Sequence, residues 1–168
     1  MKRILPSIII PPAVWREITD DPQGRPGRTE LIKARDSNFV RIVAPENFHL
    51  VQLLKNQLHE GEAEAIALAL QEQAPYLLID EAEGREVAKS YNIPVIGVIG
   101  ILAAAKKSGE IAAMKTELDN LIHRTSFRIS QKIYKKALEM SGEYKRYFSH
   151  SHLYPFRDRN SFGGSHEI

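Results

Sequence analysis

Gly61-Glu62-Ala63-Glu64-Ala65-Ile66-Ala67-Leu68-Ala69-Leu70 is the stretch whose reading decides the fold. Eight of its ten residues are Gly, Ala, Ile or Leu, so it is built to be buried, yet it opens with two carboxylates. Ala, Leu and Glu are strong helix formers, and Gly61 supplies a flexible entry before the first turn. Beyond it, Pro75 leads into the short apolar run Tyr76-Leu77-Leu78-Ile79, which ends on Asp80-Glu81. The segment reads as a buried helix, a turn, and a strand whose carboxyl end presents acid. Carboxylates at the edge of an apolar unit are costly unless a basic partner, a helix N-terminus or a divalent metal balances them.

Working outward, Ser7-Ile8-Ile9-Ile10 is a β-branched run that predicts a fully buried, parallel strand. Pro11-Pro12 stops it, and Pro12 suits the first position of a helix over 13–19. Two Pro, two Gly and two Asp make 20–28 a loop, after which Thr29 is placed to cap a short helix to Arg35. Residues 38–43 alternate as a second strand, and 46–58 carry apolar residues near helical spacing. A helix over 81–90, a strand at 93–96 and a helix over 101–107 follow, the last ended by Ser108-Gly109. Helices over 114–122 and 130–140 come next, with Ser130 as N-cap of the second. The order β-α-α-β-α-α-β-α-β-α-α-α predicts an α/β sandwich with a mainly parallel central sheet. Beyond Ser141-Gly142 periodicity stops, so the expected division is a domain over 1–143 and a partly ordered tail over 144–168.

Composition narrows the function classes. The chain has 168 residues, 43% hydrophobic and 26% charged, and no apolar run approaching 18 residues, so no membrane span is expected. It has no cysteine, which excludes disulfides, thiolate metal sites and cysteine nucleophiles. The N-terminus lacks the apolar stretch of a signal peptide, and a cytoplasmic location is the expectation. Net charge is only +2, but from Lys115 onward ten Lys and Arg stand against six Asp and Glu. That surplus is compatible with a nucleic-acid footprint, and equally with a solvated basic face.

In open α/β sheets ligands bind beyond the carboxyl ends of the strands. Asp80 sits at such an end, Glu62 and Glu64 open a helix packed on the same sheet, and Glu17 lies on the helix after the first strand. Hard oxygen ligands of this kind suit Mg²⁺ or Mn²⁺, which activate water in phosphodiester cleavage. Each acid also has an ordinary reading. Glu62 favours a helix N-terminus electrostatically, Asp80 caps the next helix, and Glu17 is a solvated helix residue. Glu64 lies roughly 200° around the helix from Glu62, so the two do not face one point unaided. Arg85 pairs with an acid or reaches a phosphate. Gly97-Val98-Ile99-Gly100 is a helix entry or a phosphate-cradling turn, and His150 and His152 are metal ligands only if the tail orders them.

Several motifs together resemble the PIN-domain superfamily, in particular its branch of nucleic-acid-binding, toxin-like proteins. They are Ile10-Pro11-Pro12-Ala13-Val14-Trp15-Arg16-Glu17, the 61–69 run, Leu77-Leu78-Ile79-Asp80-Glu81 with Gly84-Arg85, Pro94 to Gly100, Lys107 to Ile111, and Phe127-Arg128-Ile129-Ser130. The resemblance implies a three-layer α/β/α fold and Mg²⁺- or Mn²⁺-dependent ribonuclease activity, often as the toxin of a toxin–antitoxin pair restrained by a small partner protein. It puts Glu17 at the second acid of the family site, Glu62 or Glu64 at the third, and Asp80 at the strand-end acid. Relatives begin with a further strand ending in a metal-anchoring Asp, and this sequence has neither. The expectation is therefore an N-terminally incomplete or inactive member. Ile96 and Val98 also stand where relatives often carry Thr.

Two rivals come from other classes. One is a non-catalytic module that binds RNA or an antitoxin. The other is a phosphate binder built on the Gly97 turn. Exposed aliphatic surface left by a missing N-terminal element would favour a homodimer.

Overall fold

A computed structural model of the chain describes residues 5, 7–20, 27–125 and 127–144. The chain divides into two compact units, Met1–Glu110 and Ile111–Ile168.

The first unit runs β1 (Ile8–Ile10), α1 (Pro12–Thr19), α2 (Arg28–Asp36), β2 (Val40–Ile42), α3 (Phe48–Leu54), α4 (Glu60–Gln71), β3 (Leu77–Leu78), α5 (Ala82–Ser90), β4 (Val95–Ile96) and α6 (Val98–Ser108). The second holds α7 (Met114–Arg124) and α8 (Gln131–Met140). This is the element order expected from sequence. The architecture is mixed α/β with parallel strands throughout, in keeping with an α/β/α arrangement.

The strand ladder departs from expectation in one respect. Among the described residues it falls into two pairs, β1 with β2 and β3 with β4, rather than one sheet. In the first pair Ile8 N–H donates to Phe39 and Val43 N–H donates to Ile10. In the second, Leu77 and Ile79 donate to Pro94 and Ile96. Because the backbone groups of successive strand residues point to opposite sides, those of Ile9 and Leu78 face away from the partner strand. The predicted full burial of β1 is also corrected, since Ile8, Ile9 and Ile10 are only half-buried. No described strand lies on their other edge.

The core forms around α4. Ala63, Ile66, Ala67 and Ala69 pack with Val51, Leu54 and Leu58, with Leu77 and Ile79, and with Ala88 and Ile93. Ala at three of these positions lets α1, α3 and α5 approach α4 closely. Burying Ile66 completely contributes about 2 to 3 kcal/mol. Two boundaries moved. Helix α2 starts at Arg28 behind Gly27, so Thr29 lies inside it and caps nothing. Helix α6 starts three residues early, at Val98, and ends at Gly109, whose φ of 78° is the left-handed conformation glycine tolerates. Although α6 is apolar almost all round, only Ala105 is fully buried.

In the second unit, α7 and α8 pack through Met114, Leu118, Tyr134, Ala137 and Leu138, all buried. Tyr134 donates to Asp119 Oδ1 (2.6 Å), and Lys115 pairs with Asp119 Oδ2 (2.5 Å). The tail expected over 144–168, with His150 and His152, lies outside the described residues apart from Tyr144.

Candidate functional site

The Pro11-Pro12 turn that ends β1 also starts α1, and it leaves that helix without a side-chain cap of its own. Glu64 supplies one from α4, its Oε2 accepting from the Ala13 N–H at 2.9 Å. This bond occupies the first turn of α1, where orphan N–H groups and the helix dipole favour a carboxylate. Glu64 therefore faces α1 while Glu62 faces α5, the divergence that their two-residue spacing dictates.

Glu62 is divided between two roles. Its Oε2 accepts from the His59 N–H at the start of its own helix (3.3 Å). Its Oε1 is buried and has no hydrogen-bond partner. That oxygen lies against Gly84, in the first turn of α5, 2.8 Å from where a Cβ would stand. The Ile79 side chain presses on the same spot, which only glycine leaves open.

The other two acids are seated in the same way. Glu17 lies over Gly61 in the first turn of α4, with Oε1 2.6 Å from the place of an added Cβ. Asp80 lies over Gly97 at the start of α6, with Oδ1 2.6 Å from the corresponding place, and accepts from the Val98 N–H at 3.3 Å. The Arg85 guanidinium approaches the same glycine. Three of the four candidate acids thus rest on three glycines, each opening a helix whose positive end offsets their charge. At the entry to α4, Glu60 is held below the usual carboxylate range chiefly by a hydrogen bond from Lys55, with Arg16 adding attraction.

This arrangement settles some of the alternatives. A phosphate at the Gly97 turn would meet the Asp80 carboxylate, so that turn is a helix entry. The apolar depression of about 510 Å³ beside Leu5, Phe39 and Ile101 opens where β1 and β2 begin, away from the acids at the strand ends. Among the described residues, no group of three or more His, Asp and Glu is gathered closely enough to hold a metal ion. The glycine seats were invisible in the sequence pattern. Their only signal was a glycine in the opening turn of each of three helices downstream of an acid.

A family model for the PIN domain matches residues 1–143. The chain belongs to the PIN-domain family. No curated protein and no solved structure matches it. Membership makes interaction with nucleic acid the general expectation. PIN domains generally use divalent metals, so the donor set is the relevant test. One buried carboxylate oxygen, Glu62 Oε1, is free to ligate. The other acids rest on separate helix starts, and the described residues do not complete a site for the ion. No described helix is long and apolar enough to cross a membrane.

Proposed function

We propose that this chain is a PIN-fold RNA-binding protein whose acidic centre, Glu62 with Asp80 and with Glu17 beside them, is a reduced form of a metal-dependent endoribonuclease site. The supporting observation is the unpartnered, buried Oε1 of Glu62. A carboxylate oxygen kept dry and without a donor is costly, and a cation is the ordinary remedy. In this reading Mg²⁺ or Mn²⁺ would be held by Glu62 and Asp80, and Arg85 would reach a phosphate of the bound strand. Glu17 is an outer ligand at most, and Glu64 is structural. With fewer anionic ligands than a complete site requires, water activation is poor and cleavage slow.

A second reading, binding of RNA or of a small antitoxin protein without catalysis, is favoured by the seating of each acid on its own helix start. A toxin role with such an antitoxin, and a homodimer formed through the half-exposed apolar residues of α6, belong to the same proposal. Incubation of the purified protein with single-stranded RNA and Mg²⁺ or Mn²⁺ tests the first reading. Slow, metal-dependent cleavage is expected on the first reading, and retarded but uncut RNA would favour the second. Fast cleavage abolished in Asp80→Ala would overturn the reduced-site proposal.

A further inference from the structure

Several basic side chains of this fold have an ion-pair partner. Arg16 and Lys55 pair with Glu60, Arg35 with Asp36, Lys89 with Glu86, and Lys115 with Asp119. The second unit holds four that do not. Arg124, Arg128, Lys132 and Lys136 recur at every fourth residue, all four are exposed, and none has an ion-pair or hydrogen-bond partner among the described residues. Arg124 closes α7, Arg128 stands in the connector, and Lys132 and Lys136 lie one turn apart on α8. The last two are on the face opposite the buried Tyr134, Ala137 and Leu138.

The unit's own acids offset this surface only in part. Over 111–144 there are four carboxylates; two are turned inward, and of the other two Glu139 is exposed on α8, one turn beyond Lys136. Asp119 is engaged by Tyr134 and Lys115, and Glu143, only 4% exposed, accepts from the Met114 and Lys115 N–H groups at 2.8 and 3.0 Å. Glu143 thereby caps α7, whose N-cap residue, Ala113, has no side-chain acceptor. Folding thus uses acid internally and leaves the cations outside. Arg124 gains from the negative end of α7, but Arg128, Lys132 and Lys136 have no such return within the fold, and this excess of exposed cations points to an external polyanion.

We infer that Arg124, Arg128, Lys132 and Lys136 form a phosphate-contacting strip for a single-stranded RNA backbone. The half-buried Phe127, between the two arginines, offers a ring for a base to stack on. Cations interleaved with an aromatic are the composition of single-strand surfaces. An acidic membrane fits less well, because among the described residues the only large apolar side chains exposed on α8 are Ile133 and Met140. This inference rests on the proposal that the chain binds RNA, and it assigns phosphate contacts to residues of the second unit.

The test compares the full chain with a variant carrying Arg124→Gln, Arg128→Gln, Lys132→Gln and Lys136→Gln, in binding to a labelled single-stranded RNA across a salt series. A control carries Arg28→Gln and Arg41→Gln, two exposed cations of the first unit. The four-site variant should keep the parent's melting temperature and bind at least about tenfold more weakly. The slope of log affinity against log salt should flatten by about two to three, at roughly 0.7 per phosphate contact. The control should bind as the parent does. A four-site variant with the parent's affinity and slope overturns the strip and leaves RNA binding standing. A parent that binds anionic vesicles but no RNA overturns both. RNA bound through the strip without cleavage supports the strip and removes only the catalytic reading.

Discussion

Two glutamates with similar sequence surroundings, Glu62 and Glu64, end in different chemical situations. Glu64 completes the first turn of a neighbouring helix, and Glu62 leaves one oxygen dry and unpartnered. Removing a helix cap costs about 1 kcal/mol, within a range of about 0.5 to 2. Glu64→Ala is therefore expected to destabilise the protein by that amount, while Glu64→Gln, which keeps an acceptor for the Ala13 N–H, stays close to the parent. Thermal melts of the two variants check this, and equal losses would show that charge rather than the hydrogen bond matters. Glu62→Gln should behave differently, because an amide no longer places an unpaired anionic oxygen against Gly84. Stability that is unchanged or raised is the expected result in urea titration.

At the scale of elements, the glycine seats predict two opposite outcomes. Gly84→Ala puts a methyl group into the buried Ile79 side chain and against Glu62, so overpacking should cost about 1 to 3 kcal/mol. Gly61→Ala meets only the exposed end of Glu17, which swings aside, and alanine's helix propensity offsets any loss by up to about 1 kcal/mol. Chemical denaturation of the pair separates them, and similar losses would contradict the seats. In α7 and α8, Glu143→Ala should cost about 2 kcal/mol or more, since it removes two charge-assisted bonds at a buried helix start. The elements themselves were legible because their signals are local. Pro12, Asn47, Ser130 and Gly109 stand at helix ends, and Asn47 and Ser130 accept from the N–H groups three residues on. What sequence did not disclose was long-range. No pattern in 131–144 announces that Glu143 returns to cap α7, and the tripeptide Ile8-Ile9-Ile10 reads as fully buried whether or not a neighbour covers both its sides.

For the molecule as a whole, family and fold were readable from the 61–69 run and the strand-end Asp80, and the match over 1–143 establishes membership. The state of the acidic centre was not readable, because four acids at suitable elements say nothing about which way each carboxylate turns. Glu17, Glu62 and Asp80 each lie on the glycine of a different helix start, which offsets part of each charge separately and leaves only a weak demand for an ion shared by Glu62 and Asp80. Titration of the purified protein with Mn²⁺, followed by calorimetry, tests this most directly. Weak binding, with affinity on the order of millimolar, is predicted, lost in Glu62→Gln and Asp80→Asn and unchanged in Glu17→Gln. Tight, stoichiometric binding that all three substitutions abolish would show the carboxylates acting as one preassembled metal site, and would contradict the account.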